Sequence, residues 1–156
     1  MSIVVSAEKC SACRTCELVC AIKHFGASNY KKSAIRVLML FPEPARNVPT
    51  LCRHCNRCIP MERCPVDAIY KAKEGTVLID EEKCIGCRVC IDECPFGAIF
   101  AHDDISYPIK CDLCNGKPAC VEVCPLGALE FVPKTIIGQK KRVARAIKER
   151  RLAFKL

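Results

Sequence analysis

The chain has 156 residues, a length typical of one globular unit. Hydrophobic residues make up 51% of it, but 16 of them are cysteines and tryptophan is absent, so an ordinary apolar core would be thin. The formal net charge is +8, and no run of 18 apolar residues could span a membrane. Because the sequence lacks a phosphate loop, paired dinucleotide glycines and a nucleophile–base pair, we expect no catalytic site in this chain.

The cysteines fall into four groups of four. Groups one and three read C-x2-C-x2-C-x3-C, the run that holds 4Fe–4S cubes in bacterial ferredoxins. Three thiolates within such a short loop can reach different irons of one cube, and four thiolates per cube predict four clusters. In chain order the groups are Cys10, Cys13, Cys16, Cys20; Cys52, Cys55, Cys58, Cys64; Cys84, Cys87, Cys90, Cys94; and Cys111, Cys114, Cys120, Cys124.

Two other uses of cysteine compete with this interpretation. Short cysteine-dense chains are often secreted disulfide scaffolds, but residues 1–9 do not resemble a secretory leader, and the C-x2-C-x2-C triplets place thiols too close for long-loop disulfides. Zinc is the stronger alternative, chiefly for group four, whose thiols could close on one ion. Because iron–sulfur clusters need reducing conditions, we expect a cytoplasmic protein.

Short apolar segments predict strands, and the residues after the fourth cysteine of each group predict short helices. The sequence also repeats itself, since residues 4–10 match residues 78–84, and Arg14 aligns with Arg88. We therefore expect an α+β fold, a loop-rich duplicated two-cluster ferredoxin with a basic C-terminal helix. The strands are predicted at 2–6, 34–40, 67–71, 76–80, 98–102 and 128–132.

The residue after the fourth cysteine distinguishes group one from the others. Pro65, Pro95 and Pro125 follow the last cysteines of groups two, three and four, and proline fixes the backbone φ there. Ala21 takes this place in group one, which leaves the segment free to continue as a helix.

Positive charge collects at the C-terminal end. Residues 1–133 hold 16 basic and 16 acidic side chains, whereas the last 23 residues hold nine basic side chains against Glu149. Residues 139–154 can form an amphipathic helix, so we expect segment 134–156 to dock on a partner chain or on another copy of this one; a solvated helix is the alternative. The residues expected to dock are Val143, Ile147, Arg145, Arg150 and Arg151.

Together these motifs resemble the four-cluster electron-transfer subunits of large oxidoreductases. That family serves molybdenum- and tungsten-pterin enzymes, formate dehydrogenases, hydrogenlyases and carbon monoxide dehydrogenase. The resemblance runs from about Ile3 to Val132, and the segment Lys110-Cys111-Asp112-Leu113-Cys114 is especially specific. It implies an electron relay that binds to a large catalytic subunit.

The short chain favours a tungsten-dependent aldehyde oxidoreductase as the catalytic partner. Relay subunits of a hydrogenase, formate dehydrogenase or carbon monoxide dehydrogenase are alternatives, as is a free-standing polyferredoxin. No feature indicates nucleic-acid recognition.

The resemblance also implies how the groups share clusters: one with four, and two with three. Residues 1–48 and 106–133 would then form a first ferredoxin-like module, with residues 49–105 inserted as a second. Sharing between consecutive groups is the alternative. The implied ligand sets are set a, Cys10, Cys13, Cys16 and Cys124; set b, Cys20, Cys111, Cys114 and Cys120; set c, Cys52, Cys55, Cys58 and Cys94; and set d, Cys64, Cys84, Cys87 and Cys90.

Group two departs from the family pattern, because its third cysteine is Cys58 where relatives have theirs at the position of Pro60. His54 lies between two ligands and is a minor candidate to replace one, whereas His24 and His102 look like ordinary surface or loop residues. Basic side chains next to ligands could raise cluster potentials or could simply be solvated. They are Lys9, Arg14, Arg53, Arg57, Lys83, Arg88 and Lys110.

Overall fold

The computed structural model describes residues 1–42 and 46–136. This part contains eight strands, paired as four two-stranded antiparallel sheets: β1–β8, β2–β3, β4–β5 and β6–β7. The element bounds are β1 (Ser2–Val5), α1 (Thr15–Phe25), β2 (Ile35–Leu40), β3 (Arg46–Leu51), α2 (Ile59–Glu62), β4 (Ile69–Lys71), β5 (Val77–Ile79), α3 (Val89–Asp92), β6 (Ile99–His102), β7 (Ile105–Lys110), α4 (Ala119–Glu122) and β8 (Leu129–Val132).

All six predicted strands are confirmed, with ends within two residues of the prediction. Strands β3 and β7 were not predicted. Each contains a proline, Pro49 or Pro108, which argues against a central strand. In a two-stranded sheet every strand is an edge strand, so a proline can be accommodated; Pro49 lies opposite Val37 in the β2–β3 register.

The prediction that short helices follow the fourth cysteines is wrong. Helices α2, α3 and α4 end before Cys64, Cys94 and Cys124. The physical reason is the proline after each of these cysteines, because the residue before a proline is disfavoured in the α conformation. The prediction for group one is confirmed, since α1 runs past Ala21 to Phe25.

Two buried clusters of side chains form the interior. The larger, here called the first core, joins cysteines to aliphatic residues such as Ile35, Leu113 and Leu129. The smaller, the second core, contains Cys58 and Cys90 with only three aliphatic side chains. Those three are Ile69, Val77 and Ile99. Cysteines therefore belong to the interior itself, as the thin apolar composition predicts.

The structure has the predicted α+β character. The β6–β7 hairpin crosses residue 105, where the sequence analysis places a module boundary, and the division into modules stays a prediction. No helix within the described ranges is long and apolar enough to cross a bilayer. The expected docking residues of the C-terminal segment, Val143 to Arg151, lie outside the described residues.

Candidate metal centre

The cysteines of set a line one cavity, with about 360 Å³ of space between its atoms, partly open to solvent. Cys10 and Cys13 come from the loop between β1 and α1, and Cys16 lies in the first turn of α1. In that loop Ala12 and Arg14 have positive φ angles of 58° and 59°, which let the chain curl. Cys124 arrives from the other end of the chain, because β8 pairs with β1 and Ser6 N donates a hydrogen bond to Ala128 O at 2.8 Å.

The cysteines of set d line a second cavity of about 340 Å³. The loop again has two left-handed residues, Gly86 and Arg88, at φ 69° and 64°. A Cβ atom on Gly86 would clash with the carbonyl oxygen of Ser106. Asp80 N donates to Ala68 O at 2.7 Å, the counterpart of the Ser6–Ala128 bond at set a.

The cysteines of set b line a third cavity, also of about 340 Å³. Cys20 comes from α1, and the others come from the segment between β7 and the start of α4. Three successive residues of that segment, Leu113 to Asn115, have positive φ, which forms a tight loop around Cys114.

The cysteines of set c are related by proximity. Burial raises the pKa of Cys58, and the nearby thiols of Cys52 and Cys55 add to this effect. Cys94 packs against the second core, which contains Cys58. None of the 16 cysteines forms a disulfide, and all of them lie in the described part of the chain.

Backbone amides hold several sulfurs in place. Ala68 N donates to Cys64 Sγ at 3.3 Å, and Ala128 N donates to Cys124 Sγ at 3.2 Å, so the last cysteines of groups two and four have the same environment. Ala34 N donates to Cys20 Sγ at 3.3 Å. Hydrogen bonds of this kind favour the thiolate form of a cysteine.

Burial works against free thiolates at this site. It raises the pKa of Cys16 and Cys120 to about 12 and of Cys20 and Cys90 to about 11, and it also raises that of Cys111. The thiolate is the metal ligand, and buried negative charge needs a compensating cation. Converging buried thiols that receive amide hydrogen bonds therefore fit four-thiolate ligation of iron.

Most of the basic residues next to ligands have partners in the chain. Arg14 Nε donates to the buried carboxylate of Glu17 at 2.7 Å, and Arg57 pairs with Glu62 at the surface. Lys83 pairs with Asp80 at 3.5 Å. The guanidinium group of Arg53 stacks over the ring of Phe96. Their effect on potentials stays a prediction.

The histidines differ from one another. His24 is exposed, as predicted, but its Nε2 lies 3.5 Å from both Cys114 Sγ and a carboxylate oxygen of Asp112, a contact that the sequence did not predict. His102 Nε2 lies 3.4 Å from Asn29 Nδ2, and its Nδ1 accepts a hydrogen bond from Asp104 N. His54 is only 1% exposed.

Comparison with known proteins gives matches to iron–sulfur subunits. A polyferredoxin-like subunit of the aliphatic sulfonate oxidoreductase of Pyrococcus furiosus is 40% identical over 90 residues, which is 57% of this chain and 51% of the relative. A tetrathionate reductase subunit of Archaeoglobus fulgidus is 40% identical over 88 residues, 56% of this chain and 42% of the relative. The chain thus spans about half the length of these curated relatives.

The chain is also similar to a chain in a solved structure, the active site complex BamBC of benzoyl coenzyme A reductase as isolated. The two chains are 25% identical, and the match covers 94% of this chain and 89% of the other, with a TM-score of 0.48. The family model described as the 4Fe-4S dicluster domain matches residues 45–134, which hold cysteine groups two, three and four. The chain belongs to the 4Fe-4S dicluster domain family.

Proposed function

We propose that this chain is the electron-transfer subunit of a multi-subunit oxidoreductase, and that it relays electrons through four 4Fe–4S clusters bound at sets a to d. Each cube, when bound, accepts and passes on one electron at a time. The chain's own part is to supply thiolate ligands, exclude water from them and hold neighbouring sets close together. It would have no catalytic site of its own.

The observation that carries this proposal is that the four cysteine sets meet in series. Cys16 of set a and Cys120 of set b are buried together in the first core. The pKa of Cys120 is raised mainly by burial, with a smaller contribution from nearby thiols that include Cys16. Cys52 of set c is buried in the same core as Cys111 of set b. Burial is the main cause of the raised pKa of Cys111, and Cys52 adds a smaller contribution. Sets c and d meet in the second core, where Cys58 and Cys90 are buried together. These contacts favour the order a, b, c, d.

The nested ligand sets rest on one matched pair of backbone hydrogen bonds and on the lining of the cavity at group one. The Ser6–Ala128 bond joins groups one and four, and the Asp80–Ala68 bond joins groups two and three. The cavity at group one is lined by Cys124 and by no cysteine of group two. Sharing between consecutive groups would need Cys124 beside Cys87 instead.

Serine substitutions test the nesting. Cys124→Ser and Cys13→Ser are expected to alter the EPR signal of one and the same cluster, because both residues line the same cavity. Cys87→Ser should alter a different signal. If Cys124→Ser instead shares its altered signal with Cys87→Ser, the nested ligand sets are wrong.

We further propose a large catalytic subunit as the partner, with a tungsten- or molybdenum-pterin enzyme that oxidises aldehydes as the first candidate. Relatives named as subunits of a sulfonate oxidoreductase and a tetrathionate reductase support a relay role, and they also widen the range of possible substrates. A free-standing polyferredoxin is the alternative function. The word polyferredoxin in one relative's name favours keeping that alternative.

Anaerobic purification of the chain from its native host separates these functions. We expect about sixteen irons and as many labile sulfides per chain, from the stoichiometry of four cubes. We also expect a large pterin-containing chain to co-purify. A colourless product would end the cluster proposal, whereas a loaded chain that purifies alone would favour the polyferredoxin.

The docking role of the C-terminal segment is tested by truncation. Lys134 belongs to the folded body, because its Nζ donates to His54 O at 2.7 Å and to Gly75 O at 3.2 Å. A chain that ends at residue 136 should therefore keep its iron while losing Val143, Ile147, Arg145, Arg150 and Arg151. The expected result is a smaller assembly by native mass spectrometry. An assembly of unchanged mass would exclude docking through this segment.

A further inference from the structure

His54 is held rigidly in the loop between Cys52 and Cys55. Its backbone has a positive φ of 48°, a conformation that histidine adopts more readily than most residues, and its N–H lies 3.4 Å from Cys52 Sγ. The side chain turns inward and is 1% exposed. The ring therefore points into the protein interior rather than toward water.

One ring nitrogen is already occupied. His54 Nδ1 accepts a hydrogen bond from Val77 N at 3.1 Å, so this nitrogen carries no proton. In a neutral imidazole with Nδ1 as acceptor, the proton must sit on Nε2.

The Nε2–H group has no acceptor within residues 1–42 and 46–136. Among the described residues, His54 Nε2 is the one buried side-chain nitrogen or oxygen without a hydrogen-bond partner. A buried donor left unpaired is unfavourable, so an acceptor from outside the described residues is expected here.

Two ammonium groups lie close to the backbone of His54 and of its partner Val77. Lys134 Nζ donates to His54 O, and Lys110 Nζ donates to Val77 O and to Cys111 O, the latter at 3.0 Å. Neither lysine forms an ion pair with a carboxylate within residues 1–42 and 46–136. A partly buried cation needs nearby negative charge, and a cube with four thiolates carries about −2 when oxidised.

We propose that His54 Nε2–H donates a hydrogen bond to a sulfur atom of the cluster held by set c, with Lys110 and Lys134 as its internal counter-cations. This inference rests on the proposed function. The donor and both cations stabilise the more negative, reduced form of that cluster, which makes its reduction potential more positive. His54 acts here as a positioning and tuning residue, with cysteines filling every ligand place.

Isotope labelling gives a direct test. The chain has three histidines, so a His24→Gln, His102→Gln double variant keeps only the His54 ring. We would label histidine with ¹⁵N in the imidazole ring alone, reduce the protein and record pulsed EPR. A ring-nitrogen coupling to a cluster is expected, and it should vanish when His54→Gln is added. A double variant loaded with about sixteen irons but without any ring coupling would overturn the hydrogen bond.

Potentials give the second readout. His54→Leu removes the donor and should make one of the four midpoint potentials more negative, whereas His54→Gln, which keeps a donor and an acceptor, should restore most of the shift. Lys110→Met should shift a potential in the same direction, with Lys110→Arg as its matched control. Four unchanged potentials in His54→Leu would contradict the proposal. If His54→Leu fails to load iron, the isotope-labelled His24→Gln, His102→Gln variant decides whether the hydrogen bond exists.

The iron count separates the two levels of failure. Wild-type protein with far fewer than about sixteen irons per chain refutes the proposed function itself. Full loading without a His54 coupling refutes only the hydrogen bond and indicates that a buried water satisfies Nε2.

Discussion

The loops that carry groups one and three have nearly the same backbone but very different support. Both have left-handed residues at their third and fifth positions, Ala12 and Arg14 in one and Gly86 and Arg88 in the other. The first loop leads into an 11-residue helix that packs in the first core. The third leads into a four-residue helix next to a core with three aliphatic residues.

This difference teaches which part of the fold depends on metal. The loop of group one, here called the outer loop, is supported by α1 and by the β2–β3 hairpin, which adds Ile35, Val37 and Leu51 to the first core. The loop of group three, here called the inner loop, lies between short elements, and the second core beside it has only three buried aliphatic side chains together with Cys58 and Cys90. Identical ligand spacing can therefore be stabilised mainly by the polypeptide in one repeat and mainly by the cofactor in the other.

Iron removal should produce the largest effect. Chelation of the iron is expected to abolish the cooperative unfolding transition, because four cross-links between distant segments are lost. Hydrogen exchange followed by mass spectrometry should show that amides of residues 52–99 lose protection almost completely. Amides of α1 and β2 should retain part of theirs.

An iron-free chain that melts cooperatively near the temperature of the loaded protein would contradict this prediction. Equal loss of protection in both regions would refute the comparison while leaving the coupling of metal to folding intact.

Gly86→Ala and Ala12→Gly form a matched pair for the next largest effect. An alanine at position 86 would meet the carbonyl oxygen of Ser106 and would also be strained by its left-handed backbone, at about 1–2 kcal/mol. We expect Gly86→Ala to lose the cluster of set d, about four of sixteen irons. Ala12→Gly relieves strain at the equivalent position and should keep them all.

Iron analysis of the two anaerobically purified variants checks this pair. Full iron in Gly86→Ala would mean that β7 can move away from the loop at little cost. Loss of iron in Ala12→Gly would mean that the loop tolerates no added freedom at this position.

Local sequence patterns made part of this fold predictable. Short apolar runs and the alanine at position 21 act over a few residues, and they correctly predicted six strands and the continuation of a helix past Ala21. The strands β3 and β7 were missed because each contains a proline, which two-stranded sheets such as these can accommodate. The spacing of the cysteines indicated iron–sulfur chemistry. Which groups lie close together depends on the tertiary structure, which cysteine spacing alone does not give.

Contacts between distant residues could not be predicted in this way. His54 Nδ1 accepts its hydrogen bond from Val77, which lies 23 residues away, and this bond leaves the proton on Nε2. The contact between His24 and Cys114 joins residues 90 apart. Buried Glu17 accepts a hydrogen bond from Val37 N, 20 residues along the chain. Sequence patterns give no partner for such groups, because the partner is chosen by the fold.

Substitution of Glu17 tests how the outer loop is held to α1 and β2, and its expected effect is of intermediate size. Its fully buried carboxylate accepts from Val37 N at 2.6 Å and from Arg14 Nε at 2.7 Å, which ties α1 to β2 and to the loop. Glu17→Ala leaves the amide of Val37 without a partner and should cost about 1–3 kcal/mol. At about 2–4 °C per kcal/mol, the melting temperature should fall by several degrees.

Glu62→Ala is the control for this change, because Glu62 pairs with Arg57 at the surface and its loss should leave the melting temperature unchanged. The position equivalent to Glu17 in the inner loop is Ile91. The inner loop therefore has no counterpart at this position to the hydrogen bonds that the Glu17 carboxylate accepts. Equal melting temperatures for wild type and Glu17→Ala would show that apolar packing holds α1 by itself.

The smallest expected effect is an exchange of Thr15 and Val89, which hold the same place in the two loops. Thr15 Oγ1 donates to Cys13 Sγ at 3.5 Å and is the main cause of the lowered pKa of that thiol. A donor that stabilises negative sulfur also favours the reduced cluster. Thr15→Val should therefore make the potential of set a more negative, and Val89→Thr should make that of set d more positive, each on the order of tens of millivolts.

EPR-monitored redox titrations of both variants measure these shifts, and the opposite signs make the pair self-controlling. A general effect of mutation on folding or solvent access would move both potentials in one direction. Opposite shifts would show that the side chain two residues after the second cysteine, Thr15 or Val89, helps to set the cluster potential through its hydrogen bonding in both loops.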